Sequence, residues 1–152
     1  MADTFESLNL TNALQDALKD IGYTHPTPIQ QKAFSVVLSG RDVVGIAQTG
    51  TGKTYAYLLP ILRNMKFSKE KDPRVLIVVP TRELVLQMVS DIEKLTKYMT
   101  VRVAGIYGGT NINTQAKAMA TGTDILVATP GRLLDLVFNR AIILKSVRQL
   151  VI

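Results

Sequence analysis

The sequence contains no cysteine and no tryptophan, and only one of its 152 residues is histidine. The absence of cysteine excludes disulfide bonds and thiolate metal sites. Acidic residues are fewer than basic ones: the chain has 12 Asp and Glu and 18 Lys and Arg, which gives a formal net charge of +6. A basic excess favours a polyanionic partner, but many basic proteins bind nothing acidic, so the charge alone does not identify one.

Targeting and membrane signals are missing as well. The first residues, Met1 to Glu6, are acidic and lack the apolar stretch of a secretory signal. No uncharged run is long enough to cross a bilayer, since Arg41, Asp42 and Lys53 interrupt the most apolar region. These observations predict a soluble, cytoplasmic protein.

Short β-branched runs alternate with helical patterns along the chain, after a first helix that Gly22 is expected to end. The predicted strands lie near 42–47, 75–79, 101–106, 124–128 and 148–152. The predicted helices between them lie near 53–65, 82–97, 112–120 and 130–138. Apolar strands separated by helices predict an α/β fold, with a parallel sheet that helices cover on both faces. Residues 1–41 would form an N-terminal extension, and 42–152 the sheet domain.

A glycine-rich segment directly follows the first predicted strand and leads into a helix. Glycines let backbone N–H groups approach phosphate oxygens, and the helix start favours anions. A lysine there reaches the β- and γ-phosphates, and the next hydroxyl holds magnesium, which predicts a nucleoside triphosphate site. The alternative is a glycine-rich turn without a ligand. The segment is Ala47, Gln48, Thr49, Gly50, Thr51, Gly52, Lys53 and Thr54, with alanine where the general pattern has glycine.

Three more polar or glycine-rich turns follow predicted strands, and ligands of parallel sheets bind at the carboxyl ends of strands. In two of them a threonine is expected to cap a helix whose first turn carries an arginine, which suits a surface that tracks a nucleic-acid backbone. The glycine pair would let a nucleic-acid strand approach closely. The alternatives are well-capped helices and an ordinary turn. The residues are Pro80, Thr81, Arg82 and Glu83; Tyr107, Gly108 and Gly109; and Thr129, Pro130, Gly131 and Arg132.

The N-terminal extension carries a proline-rich segment from Gly22 to Gln30. The Gln30 amide offers a donor and an acceptor, which matches the edge of adenine, and Tyr23 can stack on a base. Local physics alone favours the alternative, a proline-rich connector followed by a helix.

Taken in order, these segments resemble the DEAD-box RNA helicase family from Phe5 to the last residue. The resemblance rests on Gly-Tyr-x-x-Pro-Thr-Pro-Ile-Gln, Ala-Gln-Thr-Gly-Thr-Gly-Lys-Thr, Pro-Thr-Arg-Glu-Leu, Gly-Gly and Thr-Pro-Gly-Arg. It implies a RecA-like P-loop domain in which Gln30 reads adenine, Tyr23 stacks on it with support from Phe5, and residues 47–54 hold ATP and Mg²⁺. Lys53 and Thr54 would serve catalysis, with Thr54 on the metal.

By the same resemblance, single-stranded RNA would be contacted through its phosphates and 2′-hydroxyls. The implied contact residues are Pro80, Thr81, Arg82, Gly108, Gly109, Thr129, Pro130, Gly131 and Arg132. Val85 departs from the family, which usually has alanine there, and we expect this to concern helix packing. His25 is expected to be a solvated loop residue.

The last residues are Leu150, Val151 and Ile152, and in the family this strand leads into Asp-Glu-Ala-Asp and later a second RecA-like domain. The resemblance therefore implies the front part of a helicase, for which we expect nucleotide binding, negligible ATP hydrolysis and no unwinding. We also expect either reduced stability or self-association that covers an exposed sheet edge. Two alternatives stay open. The chain is a non-catalytic nucleotide- or RNA-binding fragment, or it is a P-loop ATPase unrelated to RNA.

Overall fold

A computed structural model describes residues 3–152. After a short 3₁₀ helix at Phe5–Leu8, the described chain forms helices and strands whose extents agree closely with the predicted ones from residue 53 onward. The helices of the described residues include no candidate membrane-spanning segment. The helices are α1 (Asn12–Ile21), α2 (Pro28–Leu38), α3 (Lys53–Asn64), α4 (Arg82–Leu95), α5 (Ile112–Ala120) and α6 (Pro130–Phe138). The strands are β1 (Val75–Val78), β2 (Val103–Ile106), β3 (Ile125–Ala128) and β4 (Gln149–Val151).

The chain divides into two compact units. The first unit runs through Lys66 and also takes in Lys94–Met99. The second comprises Phe67–Glu93 and Thr100–Ile152. The predicted domain boundary at residue 41 stays a prediction. In the structure, the phosphate loop and α3 belong to the same compact unit as the N-terminal extension.

The first unit is helical. Its helix α1 begins where the Thr11 hydroxyl accepts a hydrogen bond from the Leu14 N–H, and it ends at Gly22, as predicted, in the left-handed region at φ 85°. Fully buried leucines of α1 and α3 form the interior of this unit, because helical spacing brings them onto one face of each helix. These leucines are Leu14, Leu18, Leu58, Leu59 and Leu62.

The second unit contains a parallel sheet with the strand order β2-β3-β1-β4. Ile125 at the start of β3 pairs with Val75 of β1 on one side and with Val103 of β2 on the other. On the side of β1 that faces away from β3, Val75 pairs with Gln149 of β4. The predicted α/β fold with a parallel sheet is therefore confirmed.

Helices cover both faces of this sheet. On one face, Leu126 and Ala128 of β3 share a hydrophobic core with Met119 of α5 and Leu136 of α6. On the other face, a Cβ placed on Gly105 would lie 2.8 Å from Val85 Cγ1 of α4. Successive strand residues point to opposite faces, so the sheet is enclosed between α4 and the pair α5 and α6. The predicted role of Val85 in helix packing agrees with this contact.

The predicted strand at 42–47 is wrong. Residues 41–48 form no regular element, and Val44 and Ile46 are each 91% exposed. The β-branched run favours an extended backbone, but a strand also needs the edge of another strand for its ladder hydrogen bonds. In the described part of the chain, β1 to β4 pair only with one another, so this run lies outside the ladder.

A buried carboxylate joins the amino-terminal ends of the strands. Asp124 directly precedes β3. Its Oδ1 lies 2.9 Å from Arg102 Nη2 and 3.1 Å from Arg74 Nη2. Its second oxygen accepts hydrogen bonds from the Arg102 Nε at 3.0 Å and backbone N–H at 2.8 Å. Burial raises the pKa of the Asp124 carboxyl, but the hydrogen bonds from Arg102 and Arg74 outweigh burial, so the pKa lies below its ordinary value.

Candidate functional site

The phosphate-loop sequence forms a turn in the first unit. Gly50 and Gly52 adopt φ values of 81° and 87°, which residues other than glycine rarely adopt. The Thr51 hydroxyl donates a hydrogen bond to the Gln48 carbonyl at 2.6 Å, which closes the turn internally. The segment is therefore neither a straight strand nor the interior of a helix, as a phosphate loop requires.

Lys53 and Thr54 are the first two residues of α3. The Lys53 ammonium donates to the carbonyl of Ala47 at 2.6 Å, so it lies across the mouth of its own loop. The N–H groups of the first turn of α3 carry the positive end of the helix dipole. One ammonium and several backbone donors therefore converge on the loop, which suits an anion such as a phosphate chain.

Gln30 connects the proline-rich segment with this loop. It is only 5% exposed. Its Oε1 accepts a hydrogen bond from the Thr27 N–H at 2.9 Å, and its Nε2 donates to the Gly52 carbonyl at 3.1 Å. Gly52 has a φ of 87°, and a Cβ there would approach Gln30 Nε2 to 2.5 Å, so another residue would strain the backbone and displace the Gln30 amide. The predicted base-reading residue and the predicted phosphate loop are thus brought together.

Two further features beside Gln30 suit a purine ligand. The buried Thr27 Oγ1 has no hydrogen-bond partner within the described residues, which leaves a donor and acceptor for a ligand. Tyr23 is 51% exposed and meets Tyr55 edge to face, with the ring centres 5.4 Å apart. Sequence reasoning missed Tyr55, although an aromatic residue in the first turn after a phosphate loop was a visible signal. These residues fit the predicted adenine and phosphate groups of ATP.

In the second unit, three of the predicted turns follow parallel strands and therefore share the carboxyl edge of the sheet. Arg82 begins α4 and is exposed. Its guanidinium lies over the Tyr107 ring, 4.9 Å from the ring centre, which is a cation–π distance. Thr81 accepts a hydrogen bond from the Leu84 N–H at 3.2 Å, which confirms its predicted capping role.

Arg132 has different surroundings, since its side chain is only 11% exposed. Its Nη1 donates to Gln115 Oε1 and its Nη2 to the Thr110 carbonyl, both at 3.0 Å. Thr129 occupies the N-cap position of α6 but makes no side-chain capping bond, so its predicted capping bond is wrong. Pro130 at the first helical position already lacks the N–H group, and its fixed φ favours the helix start without that bond.

Gly108 and Gly109 form the exposed turn between β2 and α5. Gly109 has a φ of 80°, and a Cβ on either glycine would meet no described atom within 4 Å apart from its chain neighbours. The turn is therefore open to an approaching ligand and needs a glycine at Gly109 for its backbone conformation alone.

Gln115 on α5 was not predicted as a functional residue. Its Nε2 donates to the Tyr107 carbonyl at 3.1 Å and to Thr110 Oγ1 at 2.7 Å. It lies at helical spacing from Ile112 and Met119, so a long polar side chain on the packed side of α5 was a signal that sequence reasoning could have used.

Within the described residues, no group of three or more His, Cys, Asp or Glu side chains is placed to hold a metal ion. Among the described residues, Thr54 is therefore the candidate side chain for holding a magnesium ion at the loop, together with phosphate oxygens and water. Such ligation is common for this ion, which usually keeps several waters and binds substrate phosphates.

Comparison with known proteins gives consistent results. Residues 27–152 match the DEAD/DEAH box helicase family. The ATP-dependent RNA helicase DDX4 of Mus musculus is 41% identical over 157 residues, which covers 98% of this chain and 22% of that protein. The ATP-dependent RNA helicase DeaD of Buchnera aphidicola is 41% identical over 150 residues, covering 98% of this chain and 25% of that protein. The chain thus spans about a quarter or less of the length of these relatives.

Proposed function

Because the chain belongs to the DEAD/DEAH box helicase family, we propose that it binds ATP with magnesium through its first unit and single-stranded RNA through its second. The relatives are described as ATP-dependent RNA helicases. We propose that this chain supplies the corresponding nucleotide-binding and RNA-binding surfaces in a protein that unwinds or remodels RNA.

The nucleotide proposal is carried by one observation, the hydrogen bond from Gln30 Nε2 to the Gly52 carbonyl. It places an amide suited to the edge of adenine beside a loop whose N–H groups and lysine suit phosphates. On nucleotide binding, Lys53 would exchange the Ala47 carbonyl for phosphate oxygens, and Thr54 would hold the metal. Magnesium, when bound, neutralises charge on the phosphate chain.

The RNA proposal is supported by the turns after β1, β2 and β3, which share one edge of a parallel sheet. Exposed Arg82 offers a positive charge for a phosphate, and Gly108 and Gly109 leave room for the sugar-phosphate backbone. We expect contacts with the RNA backbone and not with base edges, so binding should depend little on RNA sequence.

Calorimetric titration with ADP and Mg²⁺ tests the nucleotide proposal. We expect saturable binding by the wild-type chain and a loss of at least about tenfold in affinity for Lys53→Ala, since one phosphate charge partner is removed. Lys66→Ala, which removes an equal charge from another exposed position of the first unit, should bind like the wild type. Equal affinities of the two variants would contradict the proposed site.

Fluorescence anisotropy with a labelled single-stranded RNA tests the second half of the proposal. We expect binding that weakens as salt rises, because phosphate contacts release counterions. A duplex DNA of the same length is the comparison ligand. Binding that ignores salt, or that is absent at low salt, would contradict RNA recognition by this chain.

A further inference from the structure

The Gln115 side chain forms hydrogen bonds through both the nitrogen and the oxygen of its amide. Its nitrogen donates to the Tyr107 carbonyl at 3.1 Å and to the Thr110 hydroxyl at 2.7 Å. Its oxygen accepts from the Arg132 guanidinium at 3.0 Å. The residue therefore joins the two ends of the turn after β2 to the beginning of α6.

Apart from Gln115, the turn is closed by the Thr110 hydroxyl, which donates to the Tyr107 carbonyl at 3.3 Å, and by Arg132, which donates to the Thr110 carbonyl. Gly108 and Gly109, at its centre, are exposed and have no side chains to pack. Glycines lose more backbone freedom on ordering than any other residue, so an unbraced Gly-Gly turn samples many conformations. Fixing the carbonyl of Tyr107 on one side and Thr110 on the other restricts the two glycines between them.

Arg132 takes part in this bracing. Its Nη1 and Nη2 are committed to Gln115 and to the Thr110 carbonyl, and its side chain is largely buried. Its guanidinium donors thus point into the protein, whereas Arg82 on the same edge is exposed. The two arginines that look equivalent in sequence have different surroundings, and only Arg82 offers its charge outward.

We propose that Gln115 is a positioning residue for RNA, which together with the inward-facing Arg132 holds the Gly108-Gly109 turn in the conformation that receives the RNA backbone. This inference rests on the proposed RNA-binding function. Arg132 contributes to RNA affinity through the shape of the turn, and Arg82 contributes through its charge.

The test compares three variants of the full 152-residue chain. Gln115→Ala removes all three hydrogen bonds. Gln115→Glu keeps an acceptor for Arg132 but has no N–H to donate to Tyr107, so it separates holding the arginine from holding the turn. Thr114→Ala, at an exposed position of the same helix, is the control. Thermal melting of each variant establishes that it is folded.

Two measurements are combined. Backbone ¹⁵N relaxation reports the order parameters of Gly108 and Gly109, which we expect to fall from about 0.8 to below about 0.6 in Gln115→Ala and Gln115→Glu. Anisotropy reports RNA affinity, which we expect to fall about tenfold in both, since the turn must then be ordered on binding. Affinity for ADP with Mg²⁺ should not change, because the loop lies in the other unit.

Unchanged order parameters, or an unchanged RNA affinity with a mobile turn, would overturn the inference. So would wild-type behaviour of Gln115→Glu, because the donated bonds to the turn would then be irrelevant. If the wild-type chain itself binds no RNA, the proposed function fails, and the order parameters still decide whether Gln115 fixes the turn.

Discussion

The guanidinium of Arg82 lies 4.9 Å from the centre of the Tyr107 ring. These residues follow β1 and β2, which are not neighbours, because β3 lies between them in the sheet. Parallel strands are about 4.8 Å apart, so the contact reaches across a whole strand. An exposed cation–π contact of this kind contributes only about 0.5–1 kcal/mol, so it orients the Arg82 charge along the edge without preventing its use by a ligand.

Replacing Arg82 should weaken RNA binding mainly through charge. For Arg82→Ala we expect lower RNA affinity and a slope of log affinity against log salt that is smaller by about 0.7, the value for one phosphate contact on a single strand. Anisotropy titrations at four or more salt concentrations measure both quantities.

The matched control for this experiment is Arg148→Ala. Arg148 is also exposed, but it directly precedes β4 and so lies at the opposite, amino-terminal edge of the sheet. Its loss changes the net charge equally and should leave the salt slope near the wild-type value. If both variants reduce the slope equally, RNA binding follows net charge and not this edge.

Removing the Gln30 side chain should affect nucleotide choice and stability together. In Gln30→Ala the Thr27 N–H loses its partner, and the Gly52 carbonyl keeps only its bond from the Ala56 N–H. We expect this to cost about 1–3 kcal/mol of unfolding free energy. The variant should also lose its preference for ADP over GDP. Urea unfolding and calorimetry with both nucleotides check this, and a retained preference would contradict a role in base reading.

The buried carboxylate of Asp124 predicts a specific acid sensitivity. Its pKa in the folded chain lies below the ordinary value, because hydrogen bonds from Arg102 and Arg74 outweigh the effect of burial. The stability that it contributes is therefore fully present above about pH 4, where the carboxyl is ionised in the unfolded chain too. That stability is lost as the pH falls through the lowered folded-state pKa.

For Asp124→Asn we expect a loss on the order of 2–3 kcal/mol at pH 7, less than for a fully enclosed ion pair because both arginines reach solvent. The difference from the wild type should shrink below about pH 4. Urea unfolding between neutral and acidic pH measures it, with Asp16→Asn as a surface control in a weak pair with Lys19. A difference that stays constant with pH would contradict the assigned role.

Val85 and Gly105 form a complementary pair between α4 and β2. A Cβ on Gly105 would lie 2.8 Å from Val85 and 3.0 Å from Val89, so we expect Gly105→Ala to cost about 1–3 kcal/mol through overpacking. Adding Val85→Ala to that variant should recover part of the loss. Unfolding free energies of the two single variants and the double variant give the coupling, and strict additivity would contradict direct packing.

The sequence was sufficient for the elements whose pattern agrees with their pairing. The apolar runs at Val75–Val78 and Ile125–Ala128 are strands because each lies between two partners, and their hydrophobicity reflects burial on both faces. The glycines of the phosphate loop were equally readable, since their left-handed conformation is a local requirement.

Features that depend on distant partners were not readable in the same way. Val44 and Ile46 have the composition of a buried strand, but no local signal states whether a sheet edge is offered to them. Arg82 and Arg132 occupy similar positions in their motifs, and only the placement of Gln115 and Thr110 turns one of them inward. Asp124 gave no sign of its role because Arg74 and Arg102 directly precede two other strands.

The position of Asp124 has a consequence for how this fold can change over evolution. The carboxylate fastens three strands at their beginnings, whereas the exposed turns stand at their ends, about 13 Å away along a four-residue strand. Substitutions that diversify one end therefore leave the fastening at the other untouched. Related chains can therefore change the ligand that these turns contact and still keep the ion pairs of Asp124 that hold the strands together.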